Sequence, residues 1–183
     1  MDKFTIHSIP GSPFGRAVLA AFEEKGASYR FASVAPGTLR QPEHLARHPF
    51  GRFPVIDHGA FRLYETQAIL RYIDRILSQP ALTPSNLQAA ARMDQLMNIN
   101  DWYLFQGVGN VIGFQRVIGP RLMGLNPDET AIAAAMPKAH AVFNECRGTW
   151  AINLTLSATR SASPICCWRR NSISCGRRRN GTR

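Results

Sequence analysis

A serine at the predicted start of a helix, Ser12 in SPFGRAVLAAFEEKG, is the first residue whose type and position could support chemistry. Pro13 follows at the first helical position, and Gly26 stands where a left-handed residue often ends a helix. The N–H groups and dipole of a helix start stabilise negative charge, and a hydroxyl can donate to an anion. Ser12 could therefore be a simple N-cap or a donor to a bound anion. His7 and Ser8 are its nearest rivals, although a histidine at a strand end is more often structural.

The segments on either side of this helix have the alternation typical of strands. KFTIHSI (3–9) and SYRFASV (28–34) therefore predict a β-α-β unit. FPVID and AFRLY, separated by His58-Gly59, predict an antiparallel hairpin over 53–64. ETQAILRYIDRIL follows as an amphipathic helix, which gives the order βαβ-ββα over residues 1–78.

The second half of the chain has helical spacing. SQPALTPS contains two prolines and two serines, and predicts a linker over 79–85. NLQAAARMDQLMNINDWYLFQ and PDETAIAAAMPKAHAVFNEC predict helices within an all-α region over 86–146. Asn126-Pro127-Asp128 is expected to start the second of them.

The positive charge is distributed unevenly. The formal net charge of +10 would suggest a nucleic-acid or membrane-surface partner. Eight of the 22 basic residues lie in 147–183, which contains no Asp, Glu or Lys, so the first 146 residues carry a net charge of only +2. We therefore expect no nucleic-acid partner for the body of the protein.

The cysteines and the N-terminus point to the compartment. All four cysteines occur from Cys146 onward without a C-x-x-C pair, so neither a disulfide framework nor a metal site is expected. MDKFTIHSIP lacks the basic and apolar regions of a signal peptide. No apolar run approaches the ~20 residues that span a bilayer. The sequence predicts a cytoplasmic protein that does not bind membranes.

The order of the elements and the residues at their turns resemble the soluble glutathione S-transferases. The resemblance extends from about residue 3 to 146, and is strongest in SIPGSPFGRAVLAAFEEKG, HPFGRFPVID and LYETQAILRYID. It implies an α+β, thioredoxin-like N-terminal domain that binds glutathione, followed by an all-α domain that shapes a pocket for an electrophile. SPFGRAV is similar to the serine-type members, of the theta- and phi-like bacterial kind.

This resemblance makes Ser12 the catalytic residue. Glutathione is the co-substrate, no other cofactor is implied, and its thiol must ionise near neutral pH although a free thiol has a pKa of about 8.5. A hydroxyl donor at a helix start would favour the thiolate, and this role is compatible with capping the helix.

The resemblance also implies contacts for the rest of the tripeptide. Pro54 would be a cis-proline that exposes the backbone of Val55 to the cysteinyl part. The Thr66 hydroxyl and the N–H groups near it would bind the γ-glutamyl carboxylate, and Glu65 would bind the ammonium. Arg52 could reach the glycyl carboxylate. Each residue also has a plainer interpretation. Pro54 could be a trans proline that starts a strand, Glu65 could interact only with the helix dipole, and Arg52 could be an exposed arginine.

Three aromatic residues are candidates for the electrophile pocket: Phe14, Trp102 and Phe105. Aromatic residues at helical spacing are more often core or dimer interface. His48 stands where relatives more often have Asn before PFG, and the sequence predicts no role for it.

Residues 147–183 do not match the rest of the chain. Relatives continue with a buried helix opened by Ser/Thr-x-x-Asp, whereas this segment alternates Arg, Ser and Cys. An arginine-rich RNA-binding arm is one interpretation. Shifting the reading frame converts Cys166-Cys167-Trp168 to Leu-Leu, and can restore much of the missing segment. We therefore interpret 147–183 as a basic tail produced by a frameshift, without a native fold, which truncates the helical domain.

The predicted function is transfer of glutathione to a small electrophile. Alternatives are a glutathione-dependent reductase, dehalogenase or isomerase on the same fold, and a non-catalytic or truncated glutathione-binding protein. Binding of nucleic acid through the arginine tail is a weaker alternative. The expected partners are glutathione, the electrophile and a second copy of the chain in a homodimer.

Overall fold

The structure, a computed structural model, describes residues 4–157, and the predictions made for 158–183 lie outside the described residues. Packing divides the chain into two units, with the boundary between Gln106 and Gly107. The segment 79–85 contains no helix or strand, and we keep it as the proposed domain boundary.

A mixed sheet of four strands lies at the centre of the first unit, in the order β2-β1-β3-β4. β1 (Phe4–Ser8) pairs in parallel with β2 (Tyr29–Ser33), as the predicted β-α-β unit requires. β1 also pairs antiparallel with β3 (Val55–His58), which forms a hairpin with β4 (Phe61–Tyr64). The predicted α+β organisation is confirmed.

Two helices pack on one face of this sheet and share its core. α1 (Pro13–Glu24) and α3 (Thr66–Ile76) contact each other. The buried core consists of side chains from these helices and from β1 and β3: Phe4, Ile6, Val18, Ala21, Phe22, Ile56, Ile69 and Ile73. Each large apolar side chain contributes about 1.5–3 kcal/mol by its burial. This core fixes the positions of both helix starts relative to the end of β1.

The connection between β2 and β3 contains two short helical turns that the sequence analysis left unassigned. They are a 3-10 turn (Pro36–Thr38) and α2 (Pro42–Leu45). Gly51 follows them with φ +61°, and an added Cβ there would lie 2.7 Å from the carbonyl oxygen of Leu39. Only glycine fits this turn without strain, since it combines a positive φ with close backbone contact.

A buried ion pair fastens the segment after α3 to α1. The Lys25 ammonium donates hydrogen bonds to Asp74 Oδ1 and to the Pro80 carbonyl oxygen, both at 2.5 Å. The backbone N–H groups of Leu82 and Thr83 donate to the same carboxylate at 2.8 and 2.9 Å. The Gln79–Pro80 peptide bond in this segment is cis, which the sequence analysis did not predict.

The remaining elements are helical, as predicted. α4 (Leu87–Ile99) is capped by Asn86, whose Oδ1 accepts from the Ala89 N–H at 3.0 Å. The helix continues as a π-type helix over Asn100–Ile118, and α5 (Gly119–Met123) follows. None of the helices in the described part of the chain is both long and apolar enough to cross a bilayer.

α6 (Glu129–Ser157) starts after Asp128, whose Oδ1 accepts from the Ala131 N–H at 3.0 Å. This start agrees with the predicted one at 126–128. The helix extends beyond Cys146 to Ser157, and the interpretation of 147–183 as a frameshift product without native fold stays a prediction. The interval 149–157 contains neither proline nor glycine, and a helix can therefore continue through it.

Candidate functional site

Ser12 is the N-cap residue of α1 and lies at the edge of the buried core. Its Oγ accepts a hydrogen bond from the Gly15 N–H at 3.1 Å, and its own N–H donates to the Ile9 carbonyl oxygen at 3.2 Å. Ser12 is 8% exposed, so a ligand must approach it closely to contact it. The hydroxyl proton has no acceptor among residues 4–157. Ser12 can therefore cap the helix and still donate to an anion at the helix start.

Ser8 and His7, the two alternatives to Ser12, are not open to a ligand at the start of α1. Ser8 is fully buried beneath α1, where a Cβ added to Gly15 would lie 2.2 Å from its Oγ. His7 lies one position before Ser8 in β1, so its side chain projects to the opposite face of the sheet. Its Nε2 is 2.8 Å from Asp57 Oδ2. Ser8 lies beside the first turn of α1 but is buried from any ligand, and His7 faces the other side of the sheet.

The peptide bond between Phe53 and Pro54 is cis, and Pro54 is fully buried. Val55 begins β3, where it is paired with His7 on one side and Tyr64 on the other. Phe53 lies outside the strand and has no strand partner within residues 4–157. Phe53 is therefore a second candidate for backbone contact with a bound peptide, which the sequence analysis did not consider.

Glu65 has an unusual backbone conformation directly before α3. With φ +71° it is the single non-glycine residue with a positive φ in the described region 4–157. Such a conformation costs about 1–3 kcal/mol, and strained residues cluster at functional sites. The Glu65 side chain is 59% exposed and does not cap the helix. Thr66 follows at the first helical position and is half-buried.

Arg52 is exposed, while its backbone is held in place. The His44 ring, which is 2% exposed, places Nε2 2.9 Å from the Arg52 carbonyl oxygen. The Arg52 guanidinium forms no ion pair with an acidic side chain of residues 4–157. Its charge is available to a ligand carboxylate that reaches this loop.

His48 belongs to the same region, although the sequence analysis gave it no role. Its ring is 1% exposed, packs against the Tyr64 ring with centroids 4.6 Å apart, and places Nε2 3.9 Å from Glu65 Oε1. Burial, followed by the charges of His44 and Arg52, holds the pKa of His48 below its usual 6.5. The sequence feature that could have identified His48 as a candidate is a titratable residue immediately before the Pro-Phe-Gly turn.

Two of the three predicted pocket residues contact each other. The rings of Phe14 and Phe105 meet edge to face with centroids 4.5 Å apart. Gln67 Nε2 donates to Asp101 Oδ2 at 2.7 Å, so the start of α3 meets the same helix. Trp102 is 69% exposed and takes no part in this aromatic pair. The structure therefore does not bring Trp102 together with Phe14 and Phe105.

A cavity of the first unit lies elsewhere. Its volume is about 460 Å³, and it opens between β2 and α2 on the face of the sheet that carries His7. Arg30, His44 and Arg47 contribute to its lining, and none of the predicted site residues does. The chemistry expected from the sequence is therefore not in this cavity, because the helix starts and the exposed Glu65 lie outside it.

The N-terminal half of the chain matches a known family and curated proteins. Residues 2–75 match the family model for the glutathione S-transferase N-terminal domain. Over 90 residues the chain is 37% identical to glutathione S-transferase 4 of Zea mays, covering 48% of this chain and 40% of that protein. Over 109 residues it is 34% identical to glutathione S-transferase F12 of Arabidopsis thaliana, covering 57% and 50%. The chain thus spans about half the length of these relatives or less.

Solved structures show the same fold. A theta class glutathione S-transferase from Xanthomonas axonopodis pv. citri, solved with glutathione bound, superposes with a TM-score of 0.72 at 27% identity. The match covers 82% of this chain and 72% of that protein. Glutathione transferase F7 of Populus trichocarpa superposes with a TM-score of 0.71 at 24% identity, over 81% and 71% of the two chains.

Proposed function

Since the chain belongs to the glutathione S-transferase family through its N-terminal domain, we propose that it binds glutathione and transfers it to a small electrophile. The observation that carries this proposal is Ser12, a helix-capping hydroxyl with a proton left to donate. It would stand at the start of α1, where N–H groups and the helix dipole favour negative charge.

In this proposal, the thiol of bound glutathione loses its proton to solvent and the thiolate accepts a hydrogen bond from the Ser12 hydroxyl. The sulfur then forms a bond to an electrophilic carbon, and the leaving group departs with the bonding electron pair. The serine hydroxyl keeps its proton throughout. Ser12 acts by stabilising negative charge, so it needs no general base beside it.

The rest of the tripeptide would be held by residues around the start of α3. The exposed carboxylate of Glu65 would bind the γ-glutamyl ammonium, and Thr66 with the first N–H groups would bind the carboxylate. The backbone at Phe53 and Val55 would pair with the cysteinyl unit, and Arg52 would reach the glycyl carboxylate. The strained φ of Glu65 supports this assignment, because strained backbone clusters at functional sites and the Glu65 side chain is mostly exposed.

We place the acceptor substrate near Phe14 and Phe105, whose rings meet close to the start of α1. This apolar surface suits an electrophile with an aromatic or aliphatic body. Trp102 and Tyr103 are 69% and 63% exposed, and Phe50 on the loop before β3 is 61% exposed. We propose that exposed aromatic residues of this kind meet a second copy of the chain in a homodimer.

Two measurements test the proposed function. Calorimetric titration with glutathione should show binding of one tripeptide per chain. Incubation with glutathione and a chlorodinitrobenzene-type electrophile should then release chloride and form the conjugate, followed by its absorbance. Binding without turnover would support a non-catalytic glutathione-binding protein, and turnover of a disulfide or haloalkane alone would support the reductase or dehalogenase alternative. Absence of glutathione binding would contradict the proposal.

A further inference from the structure

His48 is a buried histidine beside a carboxylate that faces solvent. Its ring is 1% exposed, and its Nε2 lies 3.9 Å from Glu65 Oε1. Nδ1 is buried without a hydrogen-bond partner in residues 4–157. A proton on Nδ1 would therefore be a buried donor with no acceptor, which is destabilising. The neutral ring is favoured with its proton on Nε2, which lies 3.9 Å from Glu65 Oε1 and makes no hydrogen bond to it.

The charges around His48 determine the effect of its protonation. The titratable and charged groups that face it are His44 from α2, Arg52 from the loop before β3, Tyr64 from β4 and Glu65. Burial is the main cause of its lowered pKa, and His44 and Arg52 add to it. Among these groups Glu65 is the acidic one, so a protonated His48 would have that carboxylate as its counter-ion.

We propose that protonation of the buried His48 beside Glu65 weakens glutathione binding in mildly acidic solution. This inference rests on the proposed function, in which Glu65 binds the γ-glutamyl ammonium. A neutral Nε2–H at 3.9 Å is too far away for a hydrogen bond and leaves the full charge of the carboxylate for the ligand ammonium. An imidazolium at the same position attracts the carboxylate and repels the ligand ammonium. Both effects weaken glutathione binding.

Coulomb's law gives the expected size of this effect. Two unit charges about 4 Å apart interact by an amount equivalent to about a fivefold change in affinity, even at the dielectric constant of water. Glu65 is exposed, so screening by salt makes this value an upper limit. The dissociation constant should therefore rise by up to about fivefold as His48 becomes protonated, in the range below its ordinary pKa of about 6.5.

The test uses S-methylglutathione, whose sulfur cannot ionise, so the thiolate chemistry at Ser12 does not contribute. Its dissociation constant is measured by calorimetry at about pH 7 and about pH 5.5 for the wild type, His48→Asn and His48→Gln. The wild type should bind more weakly at the lower pH, by up to about fivefold, and neither variant should show this change. Any further protonation of the ligand amine would strengthen binding, which is the opposite direction.

The controls separate this inference from the function it rests on. Circular dichroism at both pH values shows whether each protein is folded, and Glu65→Gln should bind weakly without the pH step. A wild-type affinity that is equal at the two pH values would overturn the inference and leave the proposed function standing. A change of affinity between the two pH values that persists in a folded His48 variant would also overturn the inference and leave the proposed function standing. No binding at about pH 7 would overturn both.

Discussion

The ammonium of Lys25 at the end of α1 lies 2.5 Å from Asp74 Oδ1 in α3, and the Lys25 side chain is fully buried. The same carboxylate accepts the N–H groups of Leu82 and Thr83. One buried ion pair therefore joins both core helices and the segment that leaves the first domain. Removing one partner would leave the other as an unpaired buried charge, which is strongly destabilising.

Asp74→Asn should lower the free energy of unfolding by about 3 kcal/mol. The two N–H groups donate to different carboxylate oxygens, so the single amide oxygen can accept from only one of them, and the Lys25 charge is left without compensation. Urea unfolding followed by circular dichroism measures this change. Glu43→Gln is the matched control, because Glu43 pairs with Arg47 on the surface and its side chain is 77% exposed. That variant should change stability by no more than about 0.5 kcal/mol, and equal losses in the two variants would contradict the assignment.

The same pair predicts how stability depends on pH. Burial opposes it, but hydrogen bonds from Lys25, Thr83 and the Leu82 N–H hold the pKa of Asp74 well below its usual range. A carboxylate with a lowered folded pKa stabilises the fold above its unfolded pKa, and this contribution is lost as the pH falls toward the folded value. Unfolding free energy should therefore decline from about pH 5 downward, and more steeply in the wild type than in Asp74→Asn. Parallel curves would show that Asp74 does not cause the decline.

Gly15 predicts how tightly α1 packs on the end of β1. An added Cβ would lie 2.2 Å from Ser8 Oγ and 3.0 Å from Ser8 Cβ. Gly15→Ala should therefore destabilise the protein by about 1–3 kcal/mol despite the better helix propensity of alanine, as measured by the urea midpoint. Ser8→Gly in the same chain should recover part of the loss. Gly107→Ala, where no atom lies within 4 Å, should be neutral or slightly stabilising.

Two substitutions of Glu65 distinguish the stability cost of its backbone conformation from its contribution to glutathione binding. Glu65→Gly should raise the unfolding free energy by about 1 kcal/mol, because glycine accepts φ +71° without strain. Glu65→Ala keeps the Cβ and should not. Both remove the carboxylate, so both should weaken glutathione binding by about 1.5–3 kcal/mol in calorimetry. A destabilised Glu65→Gly protein would mean that the backbone conformation is not strained, and unchanged affinity in both would remove Glu65 from the site.

The arrangement of the first domain was predictable because its periodicities are local. Alternation marked β1 and β2, and His58-Gly59 marked the hairpin turn. Ser12 was predictable because capping chemistry depends on a few neighbouring residues. The short turns between β2 and β3 were not, since Pro36–Thr38 and Pro42–Leu45 are too brief to show a helical repeat.

Features that depend on contacts distant in sequence were missed. Lys25 and Asp74 meet across 49 residues, and neither residue is unusual in its own segment. The φ of Glu65 is a tertiary outcome, since helix-start signals do not predict a positive φ for glutamate. The role proposed for His48 needed its burial beside Tyr64, which no pattern around position 48 indicates.

The central claim is that the Ser12 hydroxyl stabilises the thiolate of bound glutathione, and the pKa of that thiol tests it most directly. The ultraviolet absorbance of the thiolate is followed against pH in the wild type, Ser12→Ala and Ser8→Ala, each saturated with glutathione. Ser8 is the matched control because it is a fully buried serine at the end of β1. The wild type and Ser8→Ala should titrate at least about one unit below the free thiol value of about 8.5, and Ser12→Ala close to that value. A Ser12→Ala protein that binds glutathione and titrates with the wild type would contradict the claim.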